Sequence, residues 1–464
     1  MFPTNPQFAA AQAILRKLRD EGHEAYLAGG CVRDLLLGRE PKDYDVATSA
    51  TPGIILDLFP RTFAVGAHFG VVLVSAEFDS IATLTEVATF RSDGVYSDGR
   101  HPDVVRYTKS AQDDVQRRDF TINGLLLDGL ADNLSDPSNL RESVLDYIGG
   151  LADLDAGIIR AIGDPVRRFE EDHLRMLRAV RFASRFGFEI DSATQAAMRA
   201  LAHKIQAISN ERVRDELTRM LTEGHARRAF ELLDATGLLG QVLPEVAKLK
   251  GVAQPPQYHP EGDVWIHTRM LLDQLAAGCS MTLAWGALLH DIGKPATYQA
   301  PSGPGDRIRF NGHVEVGVKI GAEICRRLRF SNEETAQILT LIQNHMRFAD
   351  TPHMKTATLK RFFRLDRFPE HLALHKMDCM ASSGNLDHYH FAEERYRNMP
   401  AEEVRPTPLL TGRELIAAGY KPGEAFKTML HAVEEAQLEG SIHSPAEALA
   451  LVRSQFPPAT AKAE

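Results

Sequence analysis

Cysteine is scarce in this chain. Only four occur among 464 residues, at Cys31, Cys279, Cys325 and Cys379, and no two stand close enough to form a C-x-x-C pair. That spacing excludes a zinc knuckle and a disulfide framework and fits a reducing compartment. Positive charge is also in deficit. Lys and Arg number 53 against 62 Asp and Glu, a formal net charge of −9, so any nucleic acid must be gripped by a local patch and not by a general basic coat. Long apolar runs are missing, which excludes a membrane-spanning helix, and the first residues lack the charged-then-apolar layout of a secretory leader. The expectation is a cytoplasmic protein. What remains is an ordinary globular composition, at a length that implies two to four domains.

The densest chemistry lies in Leu27 to Thr51, LAGGCVRDLLLGREPKDYDVATSAT. Gly29-Gly30 follow the apolar Tyr26-Leu27-Ala28, where bare backbone N–H groups are suited to receive a triphosphate. Arg33 and Asp34 come next, then Asp43-x-Asp45. On a strand, residues i and i+2 share a face, so these carboxylates project side by side. Their repulsion requires a hard cation, for which Mg²⁺ is the usual partner. Metal-binding carboxylates beside a phosphate cradle describe nucleotidyl transfer.

Around this stretch the pattern is mixed. Phe8, Ala11, Ile14, Leu15 and Leu18 predict a helix over Pro6 to Gly22. Thr62–Gly66, Gly70–Val74 and Ile81–Phe90 read as short strands, and Arg91 to Val105 as a loop rich in Gly and Asp. Glu86 sits on the last of these strands. In Arg117-Arg118-Asp119-Phe120-Thr121-Ile122-Asn123, the arginine pair can clamp phosphates, and Asn123 offers a donor and an acceptor to ribose or triphosphate. Gly149-Gly150 reads as a hinge or a turn. Asp164-Pro165 then opens a helix predicted to run to about Phe186, with Gly187 as its stop. On that helix Asp172 and Arg175 share one face, with Glu171 beside them. A carboxylate accepting from an exocyclic amino group, and a guanidinium donating to the adjacent ring nitrogen, admit cytosine and adenine and reject uracil and guanine. Arg160, Arg167, Arg168, Arg178, Arg181 and Arg185 add a local basic stripe suited to an RNA backbone.

Taken in order, the GG-x-x-RD and D-x-D motifs, EVATFR at Glu86, RRDFTIN from Arg117, EDHLRMLRA from Glu171 and NERVRDEL from Asn210 resemble the polymerase-β-like nucleotidyltransferases. The specific likeness is to the bacterial class II tRNA nucleotidyltransferase and poly(A) polymerase family. The resemblance implies that Asp43, Asp45 and Glu86 form a catalytic carboxylate set holding Mg²⁺. It further implies that Gly29, Gly30, Arg33, Arg117, Arg118, Asp119 and Asn123 bind the nucleotide, and that Glu171, Asp172, Arg175 and Arg178 read or support its base. Arg212 and Glu216 would brace the helices, and the loop after Arg91 would help the site change from C to A. The implied partners are a tRNA 3′ end, CTP and ATP.

Farther on, His267 precedes Leu288-Leu289-His290-Asp291-Ile292-Gly293-Lys294-Pro295, and His313, His345 and Asp378 follow. An adjacent His-Asp on an apolar helix is poor core filling, because a buried carboxylate needs a strong partner. Imidazole with carboxylate suits a divalent transition metal or Mg²⁺. The pattern resembles the HD phosphohydrolase signature. It implies a second metal site at His267, His290, Asp291 and Asp378, Asp387 being a competitor for the last place, with Lys294, His313 and His345 holding phosphate or a second ion. Lys355 to Phe368 interleaves basic residues with Phe362 and Phe363, which at helical spacing read as core.

The expected fold class is α+β. A nucleotidyltransferase head with a mixed sheet spans 1–150, followed by an all-α neck (151–230), an HD body (231–400) and a helical tail (401–464) with a frayed end after Pro457. The expected activity is template-free addition of C, C and A to tRNA, with HD phosphohydrolysis as an additional activity. Poly(A) polymerization, CC- or A-only addition, and a mainly hydrolytic HD enzyme are the alternatives. The Ala/Glu-rich tail argues against the strongly basic extension usual in poly(A) polymerases of this class.

Overall fold

The computed structural model describes residues 5–64, 70–78, 81–93 and 105–457. Their contacts divide into two compact units, residues 1–247 with 275–278, and residues 248–274 with 279–464.

In the first unit α1 (Pro6–Asp20) is capped by Asn5, whose side chain accepts from the Phe8 N–H, and it buries the predicted stripe. There follow β1 (Ala25–Ala28), α2 (Gly30–Leu36), β2 (Val46–Thr48), α3 (Pro52–Leu58), β3 (Thr62–Phe63), β4 (Val71–Phe78) and β5 (Ile81–Thr89). With the short β8 (Leu126–Leu127) and β9 (Val144–Leu145) they form one mixed sheet in the order β3-β4-β5-β2-β1-β8-β9. Only β2 and β5 run parallel, Val46 beside Val87. That register sets Asp45, one residue before β2, next to Glu86 on β5.

The predicted strand over Thr62–Gly66 stops at Phe63, and Val65 and Gly66 lie outside the described residues. The ends of the predicted loop are instead paired: β6 (Arg91–Asp93) and β7 (Val105–Tyr107) form a small antiparallel ribbon, while residues 94–104 lie outside the described part. Next come α4 (Ala111–Gln116), α5 (Pro137–Glu142) and α6 (Gly150–Ala156). Gly149-Gly150 is a packed turn. Gly149 has a φ of 78° and leads into α6, and a Cβ on Gly150 would lie 2.4 Å from the Thr121 carbonyl oxygen.

The single helix predicted from Pro165 to Phe186 is in fact two, α7 (Pro165–Glu171) and α8 (Leu174–Phe186). Asp172 is extended between them, and its Oδ1 accepts from the Leu174 N–H. A side chain that bonds its own neighbouring backbone competes with the helical ladder, and here it restarts the helix. Asp164 caps α7 as predicted, and Gly187, with a φ of 72°, ends α8. Below them run α9 (Ser192–Leu201) and α10 (Asn210–Thr222).

The second unit is helical. Phe362 and Phe363 are buried with Phe348 and Phe368 in one core cluster, so the basic-aromatic stretch serves packing. Tail helices span Gly412–Ala417, Ala425–Glu439 and Pro445–Gln455, the last opened by a Ser444–Glu447 capping box. Residues 458–464 lie outside the described part. No helix among the described residues is long and apolar enough to cross a membrane. The expected class, a mixed-sheet head followed by helices, is borne out.

Because a Cβ at position 150 meets a backbone oxygen that cannot move alone, Gly150→Ala should cost about 1–3 kcal/mol. A urea denaturation midpoint equal to that of the wild type would contradict this packing.

Candidate active site and a second metal-type centre

Asp43 and Asp45 precede β2 and are not within it, a shift from the predicted strand position. The segment is nevertheless extended there, since the Ala28 N–H donates to the Asp45 carbonyl (3.0 Å) and Tyr44 between the two acids is buried. Asp43 is exposed, Asp45 half-buried and Glu86 exposed. Burial, then the charges of Asp43 and Glu86, push the Asp45 pKa up to about 7, against the pull of Arg118. The charges of Asp43 and Glu86 thus bear on Asp45, and the three hard-oxygen groups suit a dication by donor chemistry, although they are not gathered within 4.8 Å of one another as the second unit's ligand groups are.

Gly29, with a φ of 72°, turns the chain into α2. A Cβ there would sit 3.0 Å from Arg118 Nη1, so glycine lets the guanidinium approach the backbone. The Gly29 N–H, however, donates to the Leu125 carbonyl (3.1 Å) and so is already engaged. Arg117 and Arg118 are both seated on the buried Asp114 of α4. Arg117 Nε and Nη2 lie 2.9 and 2.7 Å from its Oδ1, and Arg118 Nη2 lies 3.0 Å from its Oδ2. The arginines' charges hold the Asp114 carboxyl below its usual range despite burial.

Arg33 is not an exposed clamp. It is buried, donating from Nε and Nη2 to Asp34 (2.9 and 2.7 Å) and from Nη1 to Asn123 Oδ1 (2.5 Å), with its guanidinium over Phe186. Asn123 Nδ2 donates to Asp119 (3.1 Å), and Arg178 Nε donates to the other Asp119 oxygen (2.9 Å). Burial would raise the Asp119 pKa, but Arg178 and Asn123 bring it down to about 2. The result is a continuous chain from α2 through RRDFTIN to α8.

The two proposed base readers do not pair with each other. Arg175 Nη1 donates to Glu171 (2.6 Å) and to the Arg168 carbonyl (3.0 Å), and its Nη2 to the Arg117 carbonyl (3.2 Å). Asp172 instead accepts from Arg212 Nη2 (3.0 Å). Arg212 and Glu216 each bond a neck residue of another segment, Arg212 to Asp172 and Glu216 to Arg181 in a buried pair at 2.7 Å, contacts suited to the expected bracing. The helix break at Asp172 explains why Asp172 and Arg175 do not pair. Five of the six arginines in the basic stripe are already in ion pairs: Arg160 with Asp153 and Asp191, Arg168 with Glu171, Arg178 with Asp119, Arg181 with Glu216, and Arg185 with Glu223.

In the second unit the predicted HD residues converge. His267 Nε2 lies 3.1 Å from Asp378 Oδ1 and 3.3 Å from His290 Nε2, and His290 Nε2 is 3.3 Å from Asp291 Oδ2. His313 Nε2 and His345 Nε2 stand 3.9 and 3.7 Å from Asp291 Oδ1, both buried without a hydrogen-bond partner. His290, His313 and His345 each anchor Nδ1 on a backbone carbonyl, of Ala287, Phe310 and Ile342 respectively. The protons are thereby held on Nδ1, and the Nε2 lone pairs face inward. Burial works against a charged His267, yet Asp378 and Glu261 push its pKa up to about 10. Orphaned inward-facing imidazoles among carboxylates fit divalent metal, as two donor groups, His267-His290-Asp378 and Asp291-His313-His345. Lys294 donates to Asp291 and to Gln254, each at 2.7 Å. Asp387 instead starts the helix Asp387–Asn398.

Sequence reasoning missed Asp114, Arg212 as the partner of Asp172, and the pair His259 and Glu261. Asp114 was within reach, since it stands i−3 and i−4 from the RR pair on a helix. The others join residues by tertiary packing.

Comparison with known proteins gives the likeness segment by segment. Residues 25–160 match the poly A polymerase head domain, 187–250 the probable RNA and SrmB-binding site of polymerase A, and 263–382 the HD domain. Similar curated proteins are then the CCA-adding enzymes of Geobacillus thermodenitrificans (41% identical over 243 residues, 52% of this chain and 56% of that protein) and Bacillus pumilus (37% over 291 residues, 62% and 64%). The chain spans less than two thirds of the length of these relatives. A crystal structure of the Bacillus stearothermophilus CCA-adding enzyme in complex with CTP superposes with a TM-score of 0.71 at 26% identity, over 97% of this chain and 99% of that one. A Thermotoga maritima CCA-adding enzyme complexed with tRNA shares the fold, with a TM-score of 0.58 at 16% identity. The likeness to the tRNA nucleotidyltransferase and poly(A) polymerase family with an HD domain, read from the motifs, is borne out.

The Asp45 shift sets a pH dependence. Its folded-state pKa, about 7, lies above the ordinary 3.8, so between those values the folded chain holds a proton that the unfolded chain has released. Stability therefore falls as pH rises through that window. In metal-free buffer Asp45→Asn should raise the urea midpoint above wild type at about pH 8 and match it near pH 4. Midpoints equal at both pH values would contradict the carboxylate coupling.

Proposed function

We propose that this protein is a tRNA CCA-adding nucleotidyltransferase, working in the cytoplasm, that extends a tRNA 3′ end with C, C and A from CTP and ATP without a nucleic-acid template. The observation that carries the reading is the coupled set Asp43, Asp45 and Glu86 beside Gly29 and Arg118. These three carboxylates are the residues that would hold Mg²⁺, which when bound supplies Lewis-acid activation of the RNA 3′-hydroxyl and charge neutralization at the triphosphate. Gly30, Arg117 and Arg118 face the phosphates, with Asp114 fixing both guanidiniums. Asn123 and Asp119 set the ribose side, held in place by Arg33 and Arg178. The hydroxyl oxygen attacks the α-phosphorus in line, and the bond to pyrophosphate breaks.

Asp172 and Arg175 read the base, with Glu171 and Arg178 in support. Each oxygen of Asp172 carries one hydrogen bond, from Leu174 or Arg212, and has a lone pair left for an exocyclic amino group. Arg175 uses three of its five N–H donors, leaving donors for the ring nitrogen. Head, neck, body and tail divide at about residues 150, 230 and 400 in this reading. The relatives named CCA-adding enzymes favour CCA addition over poly(A) synthesis.

A second, metal-dependent phosphohydrolase activity at His267, His290, Asp291 and Asp378 is supported by the inward Nε2 atoms, with His313 and His345 as further ligands and Lys294 beside the phosphate. The four cysteines, all free thiols, fit the reducing cytoplasm.

The test is a tRNA transcript ending at the discriminator base, incubated with the protein, Mg²⁺, CTP and ATP. Addition of CCA followed by arrest is the expected result. A long A ladder on any RNA would identify a poly(A) polymerase, and no extension would overturn the transferase reading.

A further inference from the structure

Three of the four inward-facing histidines in the second unit are anchored by neutral backbone carbonyls. His267 is the exception. Its Nδ1 lies 2.9 Å from Glu261 Oε1, a carboxylate whose side chain is only 3% exposed. The same oxygen lies 2.8 Å from His259 Nδ1, and the His259 and His267 rings meet edge to face at 5.1 Å. Glu261 Oε2 is buried without a partner. Residues 259 and 261 fall just before the segment that matches the HD domain, 263–382, and neither belongs to the motif.

His259, Glu261 and His267 are close enough to be read as a third ligand group. The atoms involved exclude that. His267 would have to present Nδ1 to such an ion while Nε2 faces Asp378 and His290, and both Nδ1–Oε1 separations are hydrogen-bond distances. Glu261 is therefore an acceptor from two N–H groups.

We infer that Glu261 is the positioning residue of the second-unit metal centre, fixing His267 as the Nδ1–H tautomer and holding its Nε2 toward Asp378 and His290. This rests on the reading of that centre as a divalent-metal site. A carboxylate behind a ligating imidazole orients the ring, sets its tautomer and increases its donor strength, and loss of such a partner commonly weakens metal affinity 10–100-fold. The burial of Glu261 fits this role, because an ionized carboxylate at 3% exposure needs donors close by, and its Oε1 accepts from two imidazole N–H groups. His259 supplies the second of those bonds and holds the carboxylate from the other side.

The experiment uses the full chain and two probes. Co²⁺ alone is titrated while its visible d–d absorption is followed, in wild type, Glu261→Gln and His290→Ala. In Glu261→Gln the isosteric amide keeps the shape and removes the charge. Affinity should fall about 10–100-fold with an unchanged thermal melt, and the band should be absent in His290→Ala. Wild-type affinity in Glu261→Gln would overturn the inference while leaving the metal centre standing. A wild type indistinguishable from His290→Ala would overturn both. Should Glu261→Gln not fold, the ¹⁵N-histidine spectrum of the Zn²⁺-loaded wild type decides, with the His267 signal identified by its loss in His267→Gln. An Nδ1–H signature for His267 is expected, and an Nε2–H signature would overturn the inference.

Discussion

Burying the Arg33 guanidinium costs several kcal/mol unless each of its donors meets an acceptor. Asp34 and Asn123 meet them, Asn123 is held by Asp119, and Asp119 is held by Arg178. Removing any one member leaves a buried charge or amide unpaired, so the chain is satisfied together or not at all. Its consequence is mechanical. The α2 turn that carries Gly29 and Gly30, the RRDFTIN segment and the α8 helix that begins beside the base readers are fixed in one register. The proposed template-free addition would need that register, because Asp43 and Asp45 before β2, Glu86 on β5 and the proposed base readers of the neck would have to act on the same nucleotide.

The second unit answers the same problem differently. There the buried groups are imidazoles, and each is oriented by anchoring Nδ1, which turns the Nε2 atoms toward one another around Asp291 and Asp378. Backbone carbonyls serve for three of them and Glu261 for the fourth. In the second unit the four imidazoles present Nε2 inward because each is tied at its opposite end by one hydrogen bond.

Much of this was legible in the sequence where the relation is local. Asp43-x-Asp45, RRDFTIN and the HD motif stood out by their order and their resemblance to family motifs, and the helical stripe of α1, the Asp164 cap and the Gly187 stop followed from backbone rules. What was not legible was which cation takes which carboxylate. An unbroken helix would have paired Asp172 with Arg175. The break at Asp172 gave Arg175 to Glu171 and Asp172 to Arg212, which stands 40 residues away. Periodicity cannot report that choice, because it is made by α10 packing on the neck. Glu261 was hidden for a similar reason. Nothing in the run from His259 to His267 says that one carboxylate oxygen reaches two rings until the loop is folded back on its helix.

The central claim is that the buried chain makes head and neck act on one nucleotide, and the most direct measurement is base choice in Asn123→Ala. Asn123 does not touch a base in this account. Its removal should nevertheless loosen α8 through Asp119 and Arg178, so misincorporation of UMP relative to CMP on a tRNA transcript should rise about tenfold or more. If CMP addition slows while the C-to-U ratio stays at the wild-type value, head and neck work independently and the account is contradicted.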